Sequence, residues 1–460
     1  MEPISGRALL VPWVLDRGRR FVGASFGRVS TTALGRGALG TLSLQVSYAA
    51  LTFATVVVLA RLLGATGYGV YAYGIAWAGF LGVPAVLGFD RLIVRDLSAN
   101  VAGERWGLIH GLARRSSQIV GGVSGGLALG AAAVGLAVLR PSVASTFAIA
   151  MMLVPLTALT LLRQASLQGL NRPVLSQLPE FLIKPVTVIA VLSLLWLVRG
   201  AGLAPSTAMS INVSVAALAF AVGAVALGRN MPEPAKAAKP DFRTHLWVTA
   251  AVPMMVVSGV SIVDTYVGTI MLGSLVDARS AGVYVVASKG ASLVSMSLIA
   301  LNIPLAPRIA RLHASGDRES LQRVVSRAVR MTLVWSLPIG VCLVLLRSFY
   351  LGLFGEGFDA GEWPLVILVV GQLINVAAGP VVALLLMTGL ERWAALGIAF
   401  GAALNVVVNV GLDPVLGVSG AAVGALASVI CWNLCLVLVA KRRLAIYPTV
   451  LGQRLFASTP

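Results

Sequence analysis

Twelve runs of roughly twenty apolar residues fill this chain, at about 39–60, 69–89, 117–138, 143–162, 174–198, 205–228, 246–273, 281–307, 328–346, 363–387, 393–411 and 416–440. A helix needs about 20 such residues to cross the hydrocarbon of a bilayer. Twelve of them in 460 residues leave no stretch for an independent soluble domain. Hydrocarbon offers no partner to an unpaired backbone group, so every run is predicted to be α-helical. The residue alternation of a membrane β-barrel is absent. Composition agrees, because only 11% of residues are charged, where a soluble domain carries about 25%. The 49 glycines suit helices that pack backbone to backbone in lipid. The expected fold class is an all-α polytopic membrane protein with about twelve transmembrane helices.

A net charge of +18 would suggest nucleic acid if it formed one basic domain, but the charges sit between the apolar runs. With the N-terminus taken as cytoplasmic, 28 of the 35 Lys and Arg residues fall in cytoplasmic segments and five in outer loops. The other two, Lys184 and Lys289, lie within spans. This asymmetry predicts a multi-pass protein of the cytoplasmic membrane with both termini inside. It gives no reason to expect a nucleic-acid partner. Cys342, Cys431 and Cys435 lie inside apolar runs without a CxxC pair, so neither a metal centre nor a disulfide framework is expected. His110, His245 and His313 fall in basic connecting segments. Residues 1–38 are Arg-rich and lack the compact apolar core of a secretory signal. The phosphate-binding loop G-x-x-x-x-G-K-[ST] is missing, so ATP is not expected as the direct energy source. No cofactor is expected, and Na+ or H+ stays open as a coupling ion.

The longest polar stretch between spans, 229–245, leaves six spans on each side. The halves match without gaps at an offset of 213: Gly69-Val70-Tyr71 falls on Gly282-Val283-Tyr284, Arg95 on Arg308, Gly103 on Gly316, Arg105 on Arg318 and Arg114 on Arg327. Several coincidences over about 45 residues argue for duplication. A six-span repeat keeps its orientation, which predicts two parallel lobes with substrate held between them. The expected organisation is a cytoplasmic segment 1–38, a first lobe 39–228, a linker 229–245, a second lobe 246–440 and a cytoplasmic tail 441–460. The stretch 317–330 carries Leu321, Val325, Ala328 and Val329 on one helical face, and reads as a short interfacial helix.

The segments LARLLGATGYGVYAY at 59–73 and LGFDRLIVRDLSA at 87–99 resemble the start of Wzx-type oligosaccharide flippases. These form the polysaccharide-transporter branch of the multidrug/oligosaccharidyl-lipid/polysaccharide (MOP) exporter superfamily. The segments AGVYVVASKGASLV at 281–294, LFGEGFDAG at 353–361 and DPVLGVSGAAVGALAS at 413–428 extend the resemblance to about 40–440. It implies a MATE-like fold and no enzymatic activity. The function implied is flipping of a polyprenyl-diphosphate-linked oligosaccharide to the outer leaflet for cell-surface polysaccharide or O-antigen assembly. The implied partners are that substrate, membrane lipids and polysaccharide polymerase machinery. Spans 1, 2, 7 and 8 would line the central cavity.

A charge near the bilayer centre costs from a few to over ten kcal/mol, so each is a candidate site. Lys289 in span 8 and Asp264 in span 7 lie at matching depth and could pair; the functional expectation is that Lys289 attracts a diphosphate. Glu180 and Lys184 share a face of span 5 between Pro179 and Pro185, which interrupt the helical ladder. Arg91 and Arg95 end span 2, and Arg308 and Arg311 end span 8, forming a basic mouth whose guanidinium forks suit a diphosphate. Asn212, Asn375, Asn405 and Asn409 lie within spans, where interhelical hydrogen bonds are the plainer use. Two relatives in the superfamily compete: a cation-coupled drug antiporter, which would prefer an acidic cavity, and a peptidoglycan-precursor flippase, which usually has more spans. A membrane polymerase or glycosyltransferase would need a larger outer loop or an acidic/His constellation.

Overall fold

The structure, a computed structural model, describes residues 33–199 and 202–450. Most of the segment expected over 1–38, and the end of the tail expected over 441–460, lie outside the described residues. The first helix, α1 (Ala33–Gly82), is 50 residues long. At about 1.5 Å per residue it measures roughly 75 Å, more than twice the hydrocarbon thickness. Its backbone leaves helical geometry at Gly64 (φ 66, ψ 173), a left-handed conformation that glycine adopts without a Cβ penalty. It therefore makes two crossings.

A short 3-10 turn at Pro84–Val86 leads into α2 (Phe89–Ala102). Then follow α3 (Trp106–Val138), α4 (Pro141–Met151), α5 (Leu153–Gly169) and α6 (Pro173–Leu178). A π-helical turn at Pro179–Ile183 joins α6 to α7 (Lys184–Arg199), and α8 (Pro205–Asn230) and α9 (Glu233–Ala237) complete the first half. The second half comprises α10 (Thr244–Leu275), α11 (Ala278–Ala314), α12 (Arg318–Leu345), α13 (Arg347–Gly352), α14 (Glu362–Ala378), α15 (Val381–Met387), α16 (Glu391–Leu416) and α17 (Val418–Leu444). Ten described segments are long and apolar enough to cross a membrane. Counting Ser43–Val86 as two and adding the 32 residues of α10 gives the expected twelve.

The breaks in the chain follow the repeat. The first falls at Gly64 and its counterpart at Asp277, which caps α11 by accepting a 2.6 Å hydrogen bond from the Ser280 backbone N–H. The next turns fall at Gly103-Glu104 and Gly316-Asp317, with φ of 53 at Glu104 and 71 at Gly316. Asp317 caps α12 through the Ser320 N–H at 2.9 Å, and its hydrogen bonds to Ser320 hold its carboxyl below the usual carboxylate range.

Two expectations are corrected. The basic segments between spans, 90–116 and 308–330, are helical apart from tight turns near 103–105 and 315–317 and continue the spans. The interfacial helix expected over 317–330 is the opening of α12 itself, where Val329 is buried and Leu321, Val325 and Ala328 pack into a cluster with Ile309 and Leu384. Arginines on its other face reach water along their flexible stems, so the helix leaves the membrane without a break. The halves also differ: the chain breaks after span 2 at Pro84–Val86, whereas α11 runs unbroken through Pro304 and Pro307.

The core is divided by depth. At the end opposite the basic turns, one cluster spans both halves, uniting Leu59, Tyr68 and Tyr71 with Val283, Tyr284 and Phe358. The matched motifs of the repeat meet here. A Cβ on Gly69 would lie 1.6 Å from the Ala278 carbonyl oxygen, and one on Gly282 would lie 2.9 Å from the Gly69 backbone nitrogen. Only glycine allows this approach. Phe53 packs on Phe354 at 5.7 Å, the Tyr73 hydroxyl lies 3.0 Å from the Ser274 hydroxyl, and Arg61 donates to the Leu353 carbonyl at 2.8 Å. Toward the basic face the core separates. One cluster holds Leu92, Leu97, Ile109 and Leu162, joined by Trp247 and Ala251 at the start of α10. The other holds Ile309, Val325, Leu385 and Leu436. Apart from that contact of α10, the molecule is sealed at one end and parted at the other.

Candidate functional site

Lys289 follows Gly282 by seven residues, which places it about 20° around α11 and roughly 10 Å further along. It therefore lies on the helix face that meets α1 at Gly69. Its side chain is exposed, and no partner is found for it among the described residues. A free ammonium within a span, on the face turned to the other lobe and below the sealed end, is placed to meet an anion.

Asp264 does not pair with it. Asp264 lies nine residues before Gly273, whose missing side chain leaves room for the Tyr73 ring of the first half. Nine residues are two and a half turns, so Asp264 points the opposite way, into the second lobe. There its Oδ1 accepts from Asn405 Nδ2 at 3.0 Å and from Ser428 Oγ at 2.9 Å. The expected pair therefore separates into a cation facing the inter-lobe space and an acid facing a polar cluster.

That cluster is a ladder. Asn405, Asn409 and Asp413 recur every four residues on α16, on the face packed against α17. Asn409 Nδ2 donates to Asn405 Oδ1 at 2.8 Å. Gly424 of α17 makes room: a Cβ there would lie 2.8 Å from Asn409 Oδ1. Asp413 is fully buried, and neither of its carboxylate oxygens has a hydrogen-bond partner, nor does Asn409 Oδ1. An ionised carboxylate cannot stay buried and unpaired without large cost, so these oxygens call for a proton or a small hard cation. Asp413 falls outside the apolar run, which ends at 411, whereas α16 continues through Pro414 to Leu416. The Asn-x-x-x-Asn-x-x-x-Asp spacing was the available signal.

Glu180 sits in the π turn and forms an ion pair with Lys184 at 3.7 Å, as its spacing suggests. It also lies 4.0 Å from Arg163, a buried residue of α5 that the sequence places in a loop. On the basic face, Arg91, Arg308 and Arg311 are exposed and unpaired among the described residues. Arg95 is engaged by its neighbour Asp96 at 2.8 Å. Three further asparagines make interhelical hydrogen bonds: Asn212 donates to the Tyr71 hydroxyl, and Asn433 donates to Asn375 at 3.3 Å.

The sequence matches the family model described as polysaccharide biosynthesis protein over residues 34–313, more than half of the chain. It also matches the MatE family model over residues 250–410. No curated protein matches the sequence. Among solved structures, an inward-facing multidrug resistance MATE family transporter of the MOP superfamily superposes with a TM-score of 0.71 at 12% identity, covering 89% of this chain and 98% of that one. The lipid II flippase MurJ in an inward closed conformation gives 0.69 at 15% identity, covering 87% of each chain. An outward-facing MATE family transporter gives 0.57 at 11% identity, covering 89% of this chain and 95% of that one. At these identities the likeness is one of fold. The chain, whose described residues fold into helices joined by short turns with the fold of the MOP superfamily transporters, belongs to the polysaccharide biosynthesis protein family.

Proposed function

We propose that this protein is a flippase that carries a polyprenyl-diphosphate-linked oligosaccharide from the cytoplasmic to the outer leaflet by alternating access, with its basic face and both termini in the cytoplasm. Lys289 is the observation that carries this reading: a free cation inside a span, facing the other lobe, in a molecule parted toward its basic face. A diphosphate headgroup must leave water to cross, and a fixed charge in a low-dielectric space offsets part of that cost. Exposed Arg91, Arg308 and Arg311 raise the local concentration of anionic headgroups at the entrance. The oligosaccharide needs only polar surface and room, and the prenyl chain can stay in lipid. Entry of Na+ or H+ at the Asp264–Asn405–Asn409–Asp413 ladder would supply the driving force, because that ladder lies within one lobe and α10 links it to the other. Family membership favours a lipid-linked sugar over a cationic drug, and the buried acids leave an organic cation no access.

Complementation tests this reading. In a strain lacking its oligosaccharide flippase, the parent protein restores surface glycan and clears accumulated lipid-linked sugar. Lys289→Ala, at normal abundance, abolishes export, and Lys289→Arg retains part of it because the charge is kept and only its geometry changes. Normal export by Lys289→Ala would move the anion site to the basic mouth. Rescue of a strain lacking its lipid II flippase, or drug resistance without glycan export, would instead favour one of the two rival readings.

A further inference from the structure

A cavity of about 730 Å³ lies inside the first lobe, away from the space between the lobes. Its walls come from α3, α5 and α8, with α9 across its basic-face end. Helices α3 and α8 each pack on α5 or its neighbours but not on one another, so the cavity is a cleft between them with α5 as its back. Ser117, Ala224 and Gly228 at its edges are exposed. The walls are mostly apolar, with Leu159, Leu162, Phe220 and Leu227 among them. The cleft straddles the level where the apolar runs of spans 3, 4 and 6 end, near 117, 162 and 228.

Arg163 forms its charged end. The side chain is 3% exposed, and its Nη1 reaches the Ala219 carbonyl at 3.4 Å across the space that Gly223 leaves. Its Nε and Nη2 are buried without a hydrogen-bond partner. Glu180, 4.0 Å from Nη2, is shared with Lys184, so two cations face one carboxylate and one positive charge remains uncompensated. His110 and Lys236 line the cavity nearer the basic face. A buried guanidinium with two unused donors costs free energy until an acceptor arrives. A planar fork presented this way suits a phosphate oxyanion, and the apolar walls with a lateral opening suit the acyl part of an amphiphile.

We propose that this cleft is a binding site for an anionic phospholipid of the basic-face leaflet, its phosphate held by Arg163 and its chains leaving between α3 and α8. The site is separate from the transport path and stands whether or not the flippase reading does. The full-length protein, purified and delipidated in neutral detergent, is titrated with phosphatidylglycerol, phosphatidylcholine or inorganic phosphate. Thermal midpoint and lipid retained in native mass spectra are read. Phosphatidylglycerol raises the midpoint of the parent, and neither phosphatidylcholine nor inorganic phosphate does. Arg163→Met retains phosphatidylglycerol roughly tenfold less well, the loss of one charge-assisted contact. Ala224→Trp, which narrows the mouth and leaves Arg163 in place, has the same effect and carries the test if Arg163→Met fails to fold. Undiminished retention by either folded variant, or an equal shift with phosphatidylcholine, overturns the proposal. So does inorganic phosphate reproducing the whole shift, since the ligand would then be a free oxyanion.

Discussion

At the scale of single residues, function concentrates where a polar atom is buried without a partner or where a side chain is missing. Asp413 is the first case. Asp413→Asn removes the charge and keeps the shape, so transport should lose its dependence on the coupling ion and fall at least about tenfold. Measuring glycan export against Na+ concentration and pH in parallel identifies which ion is used. Gly69 is the second case, since any side chain there meets the Ala278 carbonyl. Gly69→Ala should cost about 1–3 kcal/mol of the sealed conformation, as overpacking usually does. Increased labelling from the outer side of a cysteine placed at Tyr73 would report it, and unchanged labelling would show that the contact does not hold the seal. Of these residues the sequence revealed Lys289, Asp264 and the glycine motif, because charge and repeat are visible in one dimension. It did not reveal that Lys289 and Asp264 point apart. Depth along a helix is read from residue count, but facing depends on what packs against each side.

Among the elements, span identity was legible throughout, since apolar length alone decides it. Helix ends were not. Arg318, Arg323 and Arg327 read as lying outside the span because they are charged, in a separate interfacial helix, yet they extend α12 out of the membrane. The same reasoning put Arg163 in a loop, although it lies inside the lobe beside Glu180 and Gly223. The π turn at Pro179–Ile183 places Glu180 between Arg163 and Lys184. Glu180→Gln leaves two cations without their anion and should destabilise the protein by about 1–3 kcal/mol, less than a fully buried pair because Lys184 is partly exposed. Thermal unfolding in detergent checks this, and Glu180→Asp should recover part of the loss.

For the whole molecule, the two lobes share one core at the end opposite the basic turns, while at the other end only the start of α10 joins the first lobe. Transport then requires that the shared core part. A short thiol-reactive cross-link between cysteines placed at Tyr73 and Ser274, in a background lacking Cys342, Cys431 and Cys435, should stop export, and reduction of a cleavable linker should restore it. Export that continues with the link intact would rule out parting at this point. The repeat, legible from its 213-residue offset, explains why the seal is so compact: equivalent glycines from each half meet at Gly69 and Gly282. What the repeat could not convey is its own asymmetry, because the polar ladder has grown in the second half alone.

The seal has one more property, in what its arginines hold. Arg61 donates to the carbonyl of Leu353 and Arg279 to that of Gly357, so both grip main chain and not carboxylates. A carbonyl neither titrates nor changes with the residue that bears it. The latch should therefore hold alike in acid and alkaline surroundings, and the loop at 353–357 can vary in side chain without loosening it. A cell envelope whose exterior shifts in pH and salt would meet a gate indifferent to both, and control of opening would rest with what binds from the other side.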